Sequence, residues 1–193
     1  MEDYVVGNKE VFAIEFNNVC KYENYVYGKI FYWIQGIKLG KNEECIIGDA
    51  MHSIKWMVFD NGNRRHELFY TLDKNKVFSY LSGRAYYEDL DKFQEKANLE
   101  SWGRFDIAID LATLCNFYIF YIEGNKNSRI IYSSEDGKIN EVYIENGYVE
   151  KVILEVNKLL NKFLEISNGI PQSLKGYDSN DYSLFSCGNY RMK

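Results

Sequence analysis

The side chains in this chain that could do chemistry are few, and their spacing is uninformative for catalysis. The histidines are His52 and His66, and the cysteines are Cys20, Cys45, Cys115 and Cys187. A metal centre needs His, Cys or carboxylate ligands clustered at set spacing, and no such cluster is written in the sequence. A Cys–His pair, or a histidine with Asp60, could become a nucleophile and its base only by assembly in space. Asp106 and Asp110 would share a strand face, but four strand residues set them roughly 13 Å apart, too far for two carboxylates acting together. They read as solvated, and Arg64-Arg65-His66 reads as a small basic spot on a solvated loop. The phosphate-binding loop, the dinucleotide fingerprint and the nucleophile elbow are all missing. The residues therefore predict no catalytic site, no metal and no cofactor. A binding protein is the class that fits. The alternative is a small cytosolic enzyme or ligand-binding domain whose site assembles only in three dimensions.

The elements that position these residues are organised around Val26–Gly40, VYGKIFYWIQGIKLG. Val26, Gly28, Ile30, Tyr32 and Ile34 fall on one strand face, and Tyr27, Lys29, Phe31 and Trp33 on the other. Both faces are largely apolar, so the strand is expected to be central and covered on both sides. Gln35-Gly36 offers a two-residue turn into a second strand. Upstream, Phe12, Ile14 and Phe16 alternate in a first strand over 10–16, and Asn17-Asn18 reads as a turn. Downstream, Asp49 is placed to cap a helix running to Phe59, with Ala50, Met51, Ile54, Met57 and Val58 inward. Asp73 is placed to cap a helix over 74–82 that buries Val77, Phe78 and Leu81, and 86–100 has helical spacing. Strands are then expected at 102–110, 117–123, 129–133 and 139–145, with Asp136-Gly137 and Asn146-Gly147 as turns. The strongest helical period runs from Val149 to Leu164 and is stopped by Asn168-Gly169 and Pro171. The pattern predicts a single α+β domain over 1–170, mainly antiparallel sheet with helices packed against it, followed by a polar, loosely attached tail over 171–193.

The 193 residues suffice for one self-standing core. The net charge of −5 argues against a nucleic-acid backbone or an anionic membrane as partner. The acidic first ten residues, without a long apolar run, predict neither a signal peptide nor a membrane span. Scattered cysteines predict reduced thiols in a cytoplasmic setting. Seventeen tyrosines exceed what a core needs, and tyrosine in excess favours protein interfaces.

Three blocks together resemble a known family. They are Phe12–Phe16 with Tyr27–Gly40, then Trp102–Asp110 (WGRFDIAID), then Phe117–Gly124 (FYIFYIEG) with Arg129–Tyr132. In that order, with a helical insert after the first, the chain resembles immunity protein family 42 of bacterial polymorphic-toxin systems, over roughly 12–164. Gln35 stands where the family's hairpin has Asn, a departure that leaves the turn intact. The resemblance implies a small cytoplasmic protein that binds a cognate toxin domain and blocks it, with no cofactor and no reaction. It carries over no binding residue.

The candidate toxin-binding residues are therefore chosen on physical grounds. The 86–100 stretch joins Tyr86, Tyr87 and Phe93 to Glu88, Asp89, Asp91, Glu95 and Glu100, and has net charge −3. A nuclease toxin is basic because it holds phosphates, so an acidic stretch would steer the encounter while aromatics anchor it. The other reading of the same stretch is a solvated amphipathic helix with its aromatics inward.

Overall fold

Strand formation at the centre of the chain follows from its run of β-branched and aromatic residues. In the computed structural model, which describes residues 1–23, 25–83 and 102–167, the first sheet is built from β1 (Glu2–Asn8), β2 (Phe12–Tyr22), β3 (Tyr25–Ile34), β4 (Ile37–Leu39) and β5 (Cys45–Ile46). The order is β1-β2-β3-β4, with β5 also pairing β3, and every pair is antiparallel. Strand β3 is thus internal, as its two apolar faces require. Gln35 and Gly36 have φ of 47° and 78°, so the β3–β4 turn uses two left-handed residues, the geometry that matches the twist of a tight hairpin.

Two expectations at this end need correction. Residues 2–8 form an edge strand that its acidic start concealed. Asn17-Asn18 does not turn the chain; the β2–β3 register shifts between Asn17 and Cys20, and Asn18 sits at φ 56°. It is a bulge, which Asn tolerates because its short polar side chain permits the left-handed conformation.

Helix α1 (Ala50–Phe59) buries Ala50, Met51, Ile54 and Met57 as its spacing predicts. Asp49 does not cap it: a 3₁₀ turn over Ile47–Asp49 leads in, and Asp49 is already helical. Asp73 does cap α3 (Lys74–Leu81), accepting from the backbone N–H of Asn75 and Lys76. A short α2 (Glu67–Thr71) precedes it, too brief to show a period in the sequence. The 86–100 stretch and the tail beyond 167 lie outside the described residues.

The second sheet is β6 (Ile119–Ile122), β7 (Asn127–Ser133) and β8 (Ile139–Glu145), all antiparallel. Residues 102–110 are not a strand, despite their alternation. Trp102–Phe105 is a 3₁₀ turn, and only Asp106 makes a bridge, to Phe120. Phe105, Ile107 and Ile109 are all buried, but in two different places, because the segment runs past β6 from one side of the sheet to the other.

One core takes Phe12, Ile14, Phe16, Ile30, Tyr32 and Ile34 from the first sheet and Ile119, Tyr121, Ile130, Tyr132, Val142 and Ile144 from the second. Helices α1 and α4 (Tyr148–Ser167) complete it, the latter through Val149, Val152, Ile153, Val156, Leu160 and Phe163. A smaller core lies on the other side of the second sheet, where Phe69, Val77, Phe78 and Leu81 of α2 and α3 meet Phe120, Ile122 and Ile131. The second sheet is therefore covered on both faces.

Candidate functional site

The outer face of the first sheet is finished differently. Alternation along β3 sends Tyr25, Tyr27, Lys29, Phe31 and Trp33 outward, and the register sets Tyr22 and Cys20 of β2 beside Tyr25 and Tyr27. Glu15 and Ala13 pair with Phe31 and Trp33, and Lys38 of β4 pairs with Trp33. Neither core includes Ala13, Phe31 or Trp33. The expectation that β3 is covered on both sides is corrected in kind: among the described residues charged side chains, and not a packed hydrophobic layer, lie over its outer face, where Phe31 is buried. The Lys38 ammonium lies 3.6 Å from the centroid of Phe31, and that of Lys9 4.5 Å from the centroid of Trp33. Such cation–aromatic contacts let lysine stems shield the rings while the charges stay wet.

Glu15 holds this arrangement together. It is only 7% exposed. Burial would raise its pKa, but hydrogen bonds from Lys9, the Trp33 indole N–H (2.8 Å) and Lys38 outweigh that and hold it below the usual carboxylate value. At the far end of the face Tyr22 and Tyr25 are 66% and 51% exposed, with the Tyr25 and Tyr27 rings edge to face.

The remaining polar groups are absorbed by the fold. Arg64 is fully buried, not the solvated residue its basic neighbours suggested. It donates through Nη2 to the Met57 carbonyl (2.7 Å), through Nη1 to Asn61 Oδ1 (3.3 Å) and through Nε to the Arg104 carbonyl (2.6 Å), so it closes the C-terminal end of α1. Arg129 donates through Nη1 to the carbonyls of Phe69, Tyr70 and Leu72 and through Nε and Nη2 to Glu141 Oε2, so it closes α2. His66 Nδ1 accepts the Phe69 N–H as the N-cap of α2. His52 Nε2 accepts from the Trp56 indole. Asp106 is not solvated: burial lifts its pKa to about 6, partly countered by the Ala108 N–H it accepts, and Asp110 adds a further push upward. Among the described residues no group of His, Cys, Asp and Glu could hold a metal ion, and no helix is long and apolar enough to cross a membrane.

A family model for immunity protein 42 matches residues 1–159, which span both sheets, α1 to α3 and the first half of α4. The chain belongs to the immunity protein 42 family. Its fold is shared by the crystal structure of CdiI from Burkholderia dolosa AUO158, with a TM-score of 0.64 at 16% identity over 81% of this chain and 99% of that one. No curated protein matches the chain.

In this immunity protein fold the outer face of the first sheet is a prearranged aromatic and charged face, which the sequence analysis did not single out. Its signal was present in the odd-numbered residues of β3, but an apolar face reads alike whether it is packed or open. The residues that were singled out, Tyr86, Tyr87, Glu88, Asp89, Asp91, Phe93 and Glu95, lie outside the described residues.

Proposed function

We propose that this protein protects its cell by binding a cognate toxin domain in the cytoplasm and covering the toxin's active site, without catalysis of its own. Membership of the immunity protein 42 family over residues 1–159 carries the proposal. The likeness to a CdiI extends it to contact-dependent inhibition, in which a cell disarms the toxin its neighbours deliver. The non-catalytic part is supported by where the titratable groups have gone. Arg64, Arg129 and His66 close helix ends, and Glu15 anchors two lysines and an indole. Each is bound into structure, whereas a catalytic group must be left able to meet a substrate.

The acidic stretch with Tyr86, Tyr87, Glu88, Asp89, Asp91, Phe93 and Glu95 is proposed to steer a basic toxin, a nuclease being the class whose phosphate-holding surface would complement it. Co-expression with the toxin domain encoded beside this gene tests the function. Growth should be restored and the two proteins should co-purify. His52→Gln with His66→Gln should protect as the wild type does. No rescue by the wild type would reject the proposal, and a folded, toxin-binding double variant that fails to protect would reject its non-catalytic part.

A further inference from the structure

We infer that the outer face of the first sheet is the surface on which the toxin docks, and that it receives a carboxylate-bearing patch of that toxin. The inference rests on the proposal that the chain binds a toxin. It deepens that proposal by naming the anchor surface and the chemistry that fits it.

Charge is the first ground. The chain carries net −5, yet at the Trp33 end of this face two ammoniums, Lys9 and Lys38, stand over one carboxylate, Glu15, while farther along β3 the register sets Lys29 opposite Glu44. Asp3 accepts the backbone N–H of Asn18, and Glu15 lies beneath Lys9 and Lys38. Two ammoniums share that one buried carboxylate, and among the described residues Lys29 donates to the neutral amide of Asn42, at 2.9 Å. At the Trp33 end an approaching partner meets two ammoniums over one buried carboxylate, a local positive charge and the complement of a carboxylate.

Order is the second ground. Lys9 and Lys38 are each held by a ring and by Glu15, and the Trp33 indole is fixed by Glu15 as well. Binding normally costs the freedom of long side chains, and here that freedom is already spent in the free protein. The exposed rings of Tyr22 and Tyr25 continue the face with the residue type that anchors protein interfaces.

A basic aromatic sheet could also suggest single-stranded nucleic acid. Such proteins stack bases on open ring faces. The faces of Phe31 and Trp33 are occupied by the ammoniums of Lys38 and Lys9, which favours a protein carboxylate over a base.

The test measures affinity and salt dependence between the full chain and the toxin domain encoded beside its gene. Lys29→Gln with Lys38→Gln, and separately Tyr22→Ala with Tyr25→Ala, should each weaken binding about tenfold or more, the loss typical of an anchor residue. The lysine pair should also flatten the salt dependence, and Lys38→Arg should bind as the wild type does. Leu154→Ala, on the exposed side of α4, should change nothing. The tyrosine pair is far from Glu15 and keeps the test decisive if the lysine pair unfolds. Tight wild-type binding with both pairs unaltered would overturn the docking surface alone. Absence of wild-type binding would overturn toxin recognition itself, and the surface with it. Binding of a single-stranded DNA oligonucleotide that is lost in the lysine pair, with toxin affinity unchanged, would overturn the assignment in favour of nucleic acid.

Discussion

Arg64 and Arg129 show what a buried charge does in this protein. Each guanidinium donates to backbone carbonyls at the end of a helix, groups that would otherwise be buried without partners. Asp106 is the opposite case, a carboxylate that gains one backbone N–H and loses more to burial. Its folded pKa of about 6 lies above the ordinary 3.8. A raised carboxyl favours folding while protonated, so stability is lost as pH rises from about 4 to about 6. Asp106→Asn keeps an oxygen for the Ala108 N–H and cannot ionise. It should raise stability at pH 7.5 by no more than about 3 kcal/mol, at about 1.4 kcal/mol per pKa unit, and with it the melting temperature. The gain should vanish near pH 4. Thermal melts at the two pH values check this, and an equal gain at both would refute it. Glu15 has the reverse sign. Its depressed pKa stabilises the fold above the ordinary value of 4.5 and ceases to do so as pH falls through the lower, folded value.

At the scale of elements, β3 is the strand on which both the core and the outer lysine-covered face depend. Ile30 is fully buried between the first sheet and the helices. Ile30→Ala should cost about 2–5 kcal/mol, measured by urea unfolding, because the neighbours collapse only partly into the space. A cost below about 1 kcal/mol would mean that the site is not the rigid interior described. The turn that follows is under mild strain, since Gln35 holds a left-handed φ of 47°. Asn enters that region more easily than Gln. Gln35→Asn should therefore stabilise the protein by a few tenths to about 1 kcal/mol, read as a rise in urea midpoint at constant slope. The segment after α3 is held by polar contacts of a different kind. Tyr32 donates to the Ile107 carbonyl at 2.6 Å, and the Ile107 N–H reaches the Ile119 carbonyl of β6. Those two bonds join the first sheet to the second.

For the whole molecule, the proposed steering stretch and the proposed docking face would divide recognition into two tasks. Net charge of −5 would favour the long-range approach of a basic partner, and the prearranged face would supply close contact. The two separate experimentally. Glu88→Lys with Asp89→Lys and Asp91→Lys should slow association with the toxin and weaken its salt dependence, while leaving the melting temperature nearly unchanged. Stopped-flow association rates over a range of salt concentrations measure this. Unchanged rates, or a toxin whose own surface is acidic, would reject steering by that stretch.

Sequence alone determined the elements whose period is satisfied by a single face. Strand β3, its Gln35-Gly36 turn, the capped α3 and the amphipathic α4 were legible because each buries one stripe against one core, and local geometry sets that stripe. The family resemblance was legible for the same reason, since its blocks are largely strand patterns. Tertiary structure alone decided where alternation stops meaning a strand: residues 105, 107 and 109 alternate and are all buried, yet Phe105 enters one core and Ile107 and Ile109 the other. It also decided the fate of the charges. Arg64 looks basic and solvated in sequence, and only the approach of Met57, Asn61 and Arg104 makes its burial tolerable. The outer face of β3 was visible as odd-numbered aromatics, but not as a face finished by Lys9, Lys38 and Glu15. Whether an apolar face is packed or presented depends on the placement of elements distant in sequence, and no local period records that.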